Sequence, residues 1–145
     1  MRKSTLAILV VIITMIIALS LIFHPMKVSD LAPDAFDDVA SARVTVQLGM
    51  VDTIYELIEK DQIECVSMFL KEIIARKQVQ MLVPESHMMH PGEDYLIELF
   101  HVDGSVDVVA LYSGNIKIND IVYPVSSPKT FVLLRSMLGV FSTEH

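Results

Sequence analysis

Seven residues able to ligate a metal or move a proton crowd into one stretch, Pro84 to Asp94 (PESHMMHPGED): Glu85, His87, Met88, Met89, His90, Glu93 and Asp94. Two imidazoles with two thioethers, His87, His90, Met88 and Met89, would suit copper(I), and the same imidazoles with carboxylates would suit zinc. The His-x-x-His spacing brings both rings to one side only on a helical backbone, and the prolines bounding the stretch oppose a helix. The expectation is an exposed polar loop with incidental histidines, the metal site standing as the sharper alternative. No catalytic residue and no cofactor is expected.

A second group lies downstream. His101 sits beside Asp103, and Asp107 and Glu98 could approach it across a hairpin, which would offer an acid/base pair. Strand alternation, however, puts Glu98 with Phe100 and Val102, opposite His101 and Asp103, so the expectation is a solvated sheet face without a converging site. Cys65 is the single cysteine. No basic side chain within a turn lies on its side to lower its pKa, so it reads as a partly buried small hydrophobe, with a reactive or intermolecularly bridged thiol as the alternative. Met68, Met88 and Met89 could expose an apolar patch for a partner. The chain contains no G-x-S-x-G, P-loop, G-x-G-x-x-G or H-E-x-x-H, so the common mechanistic signatures are missing.

These residues are positioned by elements that the pattern of apolar residues foretells. Ala42 to Leu48 (ARVTVQL) alternates strictly, as a half-buried strand does, and Gly49 ends it. Thr53 to Ile58 reads as its hairpin partner. Asp61 followed by Glu64 has the form of a capping box opening a helix to about Lys77, with Ile63, Val66, Phe69, Leu70, Ile73 and Ile74 as its apolar stripe. Val79 to Val83 reads as a strand. Tyr95 to Val102 and Val106 to Tyr112 flank Asp103-Gly104, and Ile116 to Ile118 and Ile121 to Val125 flank Asn119-Asp120, two tight-turn pairs. Ser127 with Pro128 then reads as the start of a last helix with Phe131, Leu134 and Leu138 on one face, stopped at Gly139.

The result is a β-β-α-β-β-β-β-β-α order, an α+β domain with an antiparallel sheet and its helices on one face. Residues 42–139 form the domain and 140–145 a tail. Residues 24–41 (HPMKVSDLAPDAFDDVAS), with two prolines, four Asp and scattered apolar positions, read as a linker; a short helix from Asp34 to Ala40 is the alternative.

Ahead of all this, Leu6 to Phe23 (LAILVVIITMIIALSLIF) carries no charge, Gly or Pro. With Ser4 and Thr5 it makes a helix of roughly 30 Å, the thickness of a hydrocarbon core. Arg2 and Lys3 precede it, and the far side turns acidic, so residues 1–23 are expected to cross the bilayer once, amino terminus cytoplasmic and domain outside the cell membrane. The competing reading is a cleaved secretory signal. Leu21, Ile22 and Phe23 after the small residues Ala18 and Ser20 weigh against a cut there. No Cys ends the apolar run, which excludes a lipoprotein anchor.

Residues 1–23 hold two of the 11 basic groups and none of the 18 acidic ones, so the remainder carries 9 basic against 18 acidic groups, a net charge of about −9. Such a surface repels phosphate backbones and anionic headgroups, so no nucleic-acid partner is expected. One cysteine permits no internal disulfide, and the fold must rest on its core.

The runs VTVQLGMVDTIYELIEKDQIECVSMFLKEI and DYLIELFHVDGSVDVVALYSGNIKINDIVYPV resemble small membrane-tethered or lipoprotein-like exported domains of Gram-positive bacteria, a group without a settled activity. The likeness lies in the strand pair before an Asp-led helix, the Asp-Gly hairpin and the closing I-x-I-N-x-x-x-Y-x-V strand pair. It implies fold and location and carries no catalytic motif. The expected function is a tethered extracytoplasmic binding domain, its partners the lipid bilayer through Leu6 to Phe23 and an envelope protein met by a sheet face or edge. An enzyme of unrecognised type and a structural subunit of a membrane complex are the alternatives.

Overall fold

A computed structural model describes residues 3–22, 24–76, 93–112, 114–125 and 129–143. Helix α1, Lys3–Ile22, is a single rod of 20 residues, long and apolar enough to cross a membrane, and none of Ser4–Ile22 is buried against the rest of the chain. At its middle Thr14 is satisfied within the helix, its Oγ1 donating to the Val10 carbonyl at 2.8 Å. Internal satisfaction of polar groups is what an apolar solvent demands.

The segment read as a linker is instead built into the domain. Strand β1, Pro25–Lys27, leads into a one-turn helix α2, Val28–Leu31, and a 3₁₀ turn at Pro33–Phe36. Val28, Ala35 and Phe36 join the main core, at 0, 6 and 3% exposure. Periodicity missed this because each short turn contributes only one or two inward residues. The kink at Ala32 (φ −142°, ψ 70°) resets the phase between the two. The alternative helix at 34–40 is not formed either, and Asp34 caps nothing.

Strand β2, Val39–Leu48, and strand β3, Val51–Leu57, form the expected hairpin, in register Val44 with Tyr55 and Leu48 with Val51. Gly49 closes it at φ +65°, a conformation that costs glycine nothing. Helix α3 spans Lys60–Glu72. It begins at Glu59 without a side-chain cap, so the Asp61–Glu64 capping box does not form. Asp61 sits in the first turn, where it still complements the helix dipole. The helix also stops short of Lys77, because Ile74–Arg76 turn extended as strand β4 and pair with β1. Its buried face is Ile63, Val66 and Leu70 with Gln62 and Ser67, while Ile73 is buried just past its end.

Strands β5, Glu93–His101, β6, Val106–Tyr112, β7, Asn115–Ile118, and β8, Ile121–Pro124, complete a six-stranded antiparallel sheet in the order β3-β2-β5-β6-β7-β8. Alternation aligns Leu57, Ala42, Leu99, Ile97, Val109, Tyr95, Leu111, Ile116, Ile118 and Tyr123 on one buried face. Gly104 (φ +87°) and Asn119 (φ +53°) supply the left-handed residues of the two expected turns. Helix α4, Lys129–Thr143, adds Leu134 and Leu138 to the same core. It runs through Gly139, so that glycine is a helix-interior residue, and residues 140–143 are helix rather than tail. The fold is mixed α+β with an antiparallel sheet, as the order of elements required. The Val79–Val83 strand and Ser127-Pro128 fall outside the described residues.

Candidate functional site

The most chemically dense place among the described residues is one end of the sheet, where β5 stops and the chain arrives from Phe36. His101 ends β5 on the same side as Leu99, and Asp107 opens β6 opposite Leu99. The two therefore share the core face, at its margin. The His101 side chain is only 7% exposed and that of Asp107 24%. His101 Nε2 lies 2.8 Å from Asp107 Oδ2, and Nδ1 lies 2.7 Å from the Asp37 carbonyl oxygen. Asn119 Nδ2 donates to the other Asp107 oxygen at 2.9 Å, while Asn119 Oδ1 accepts from the Val108 amide at 3.0 Å. Four segments are thus tied together: the 37–38 bend, the end of β5, the start of β6 and the β7–β8 turn.

Around this knot an open cleft of about 750 Å³ is lined by Asp34, Asp37 and Asp38 on one side and by His101, Val102, Asp103, Ser105 and Asp107 on the other. Five carboxylates face it. Asp103 accepts from the Ser105 hydroxyl at 2.6 Å and the Ser105 amide at 2.8 Å, and these two bonds hold its carboxyl below the ordinary range. Lys71 reaches Asp37 at 3.2 Å from α3. The Val102 amide donates to the Asp38 carbonyl at 3.0 Å, which pins the bend to the hairpin.

What this arrangement can do follows from its bonding. Both ring nitrogens of His101 are taken up, one by a backbone carbonyl oxygen and the other by a carboxylate. The Ser105 hydroxyl is likewise engaged by Asp103. The His101–Asp107 pair therefore clamps the fold, and the chemistry offered to solvent is negative potential. Among the described residues no three His, Cys, Asp or Glu side chains are disposed to hold a metal ion.

On the opposite, uncovered face, Arg43 of β2 bridges its two neighbours, bonding Glu56 of β3 at 2.7 Å and Glu98 of β5 at 3.4 Å. Its guanidinium lies 5.7 Å from the Phe100 ring centroid. The Glu56 hydrogen bond raises its already high pKa. Ile54, Leu96 and Val106 are exposed on this face or its margin, at 59, 36 and 45%.

The residues singled out from sequence fare unequally. His87, Met88, Met89 and His90 lie outside the described residues. Glu98 is separated from His101 by the sheet, as alternation required. The solvated face expected for His101 is corrected, since that face carries the core. The hairpin closes through His101 N to Ser105 O at 2.9 Å, which sets odd residues against odd and turns Asp107 toward His101. Parity across that turn was the signal that could have found the pair. Cys65 is exposed rather than partly buried, because α3 rotates Gln62 and Ser67 inward in its place. Met68 is exposed at 57%. The chain matches no family model, no curated protein and no solved structure.

Proposed function

We propose that this chain is a single-pass membrane protein, amino terminus cytoplasmic, that displays its α+β domain outside the cell as a binding module for an extended segment of another envelope protein. The observation that carries the binding role is the outer edge of β3. Among the described residues that strand pairs with β2 on one side only, while the far edge of the sheet, at β8, is met by β4 through the Ala75–Val125 bridge. Edge strands are ordinarily blunted by Pro, Lys, bulges or brevity. Over its seven residues β3 has no Pro, Lys or bulge and is charged only at Asp52 and Glu56, and an extended peptide can continue the sheet there by main-chain hydrogen bonds.

The side chains along that edge define the partner. Asp52, Ile54 and Glu56 alternate toward the uncovered face, so a strand laid against them gains most by presenting basic, apolar and basic residues in turn. The exposed helix α1 and the basic residues before it support the tethered orientation.

The test is a photo-crosslinking residue at Ile54 of the full-length chain in its native cells, with the same residue at Met68 on α3 as the comparison. A discrete adduct from position 54, lost when Asp52→Lys is added on the same edge, supports the reading. Adducts at Met68 with none at Ile54 would refute the edge. Failure of externally added protease to reach the domain in intact cells would refute the orientation.

A further inference from the structure

We infer that the tip of the β2–β3 hairpin, Leu48-Gly49-Met50-Val51, rests in the interfacial layer of the same bilayer that holds α1. The inference builds on the tethered reading above and adds a second membrane contact to it. Met50 is the most exposed apolar residue described, at 98%, and Leu48 and Val51 flank it at 54 and 66%. Four consecutive residues thus offer solvent no charge and no polar side chain. Large apolar residues presented together at a loop tip mark a surface meant to be covered.

Strand pairing shows which end of the sheet the tip occupies. Leu48 pairs with Glu93 at the start of β5, Tyr95 with Leu111 near the end of β6, Tyr112 with Asn115, and Asn115 with Pro124. Val125 then meets Ala75, which pairs with Met26 of β1. Tip and β1 therefore occupy the same end of the sheet, at opposite corners. About five strand spacings, roughly 24 Å, separate β3 from β8.

The tether is short. Pro25, already paired with Arg76, follows Ile22 by three residues, which fully extended reach no more than about 11 Å. That corner cannot leave the membrane surface, and an end of the sheet laid on the bilayer brings the hairpin tip down as the second point of contact. The charge distribution fits this placement. The cleft with its five Asp side chains lies at the other end of the strands, where it escapes anionic headgroups. Asp52, one residue beyond the tip, stays in water and limits entry to the tip itself.

The test uses the full chain reconstituted in phosphatidylcholine vesicles, in a Cys65→Ser background, with an environment-sensitive fluorophore on Met50→Cys or on Val102→Cys. Val102 is exposed at 77% on the turn at the far end. At an interfacial depth of about 5–10 Å, the label at position 50 shifts to the blue and loses roughly half its emission to acyl-chain nitroxide lipids, and the label at 102 does neither. Flotation of the same samples reports on α1. Protein that floats while the label at 50 behaves as at 102 overturns the hairpin contact and leaves the anchor standing. A blue shift without lipid quenching assigns the tip to a protein contact and overturns it as well. Protein that fails to float removes both.

Discussion

His101 and Asp107 meet at 2.8 Å on the core face of the sheet, with the other ring nitrogen of His101 held by the Asp37 carbonyl 64 residues earlier in the chain. The contact joins the first segment after α1 to the hairpin that forms the middle of the sheet. Replacing a buried, doubly bonded side chain strands its partners. His101→Ala is expected to lower the unfolding free energy by about 1–3 kcal/mol, with Asp107→Ala non-additive to it. Thermal unfolding of the detergent-solubilised full chain, run as a double-mutant cycle, measures the coupling; strict additivity would show that the clamp does not exist.

Asp103 supplies the pH dependence. Its carboxyl is depressed first by the Ser105 hydroxyl and then by the Ser105 amide. A group with a lowered folded pKa contributes stability above its unfolded pKa and loses it as pH falls through the folded value. The contribution of Asp103 to the β5–β6 turn should therefore be lost on the acid side of the ordinary carboxylate range and stay constant at neutral and alkaline pH. In Ser105→Ala the larger cause is gone, and the Asp103 carboxyl carbon, followed by NMR, should titrate at higher pH than in the parent. An unchanged midpoint would contradict the assignment.

Two glycines respond in opposite directions to the same substitution. Gly104 sits at φ +87° in the β5–β6 turn, so Gly104→Ala forces a side chain into left-handed backbone and should cost about 1–2 kcal/mol. Gly139 lies inside α4, with nothing within 4 Å of where a Cβ would stand. There Gly139→Ala should stabilise by roughly 0.5–1 kcal/mol by restricting the unfolded chain. A fall in melting temperature for the second variant would mean that α4 does break there, as its sequence suggests.

That contrast marks where the sequence was legible. Period-two alternation in Ala42–Leu48 foretold strand, face and turn together, and around Asp103-Gly104 and Asn119-Asp120 the pattern foretold strands and turns but not that the face bearing His101 meets the core. Single residues that take their meaning from distant partners were opaque. Gly139 looks like a stop signal, yet α4 continues through it to Thr143. Asp61 and Glu64 have the spelling of a capping box, but the helix starts one residue before Asp61. His101 and Asp107 converge through the parity of one turn. Cys65 was misplaced by a modest rotation of α3 that buries Gln62, which no apolar stripe predicts.

Neighbouring residues on α4 test the phase of that helix. Leu134 is fully buried and Leu133 is 57% exposed. Leu134→Ala should cost about 2–5 kcal/mol through lost contacts and a cavity, and Leu133→Ala well under 1 kcal/mol. Equal effects, read from denaturant midpoints, would mean that α4 packs by another face.

The stretch 24–41 gives the sharpest test of the architecture, because the two readings of it predict opposite results. A linker tolerates substitution; a docked segment does not. Phe36 is 3% exposed in the main core, and β1 in the same stretch supplies the partner strand of β4. Phe36→Ala should therefore cost about 3–5 kcal/mol, a large share of the roughly 5–15 kcal/mol that holds an ordinary domain together. A fragment starting at Ala42 loses Phe36, Val28 and β1 at once, and is expected to expose Leu70 and Ile73 and to aggregate, whereas one starting at His24 keeps the whole core. Circular dichroism and light scattering on the two fragments decide the matter. A cooperatively folded, monomeric fragment from Ala42 would return residues 24–41 to the status of a spacer between membrane and domain.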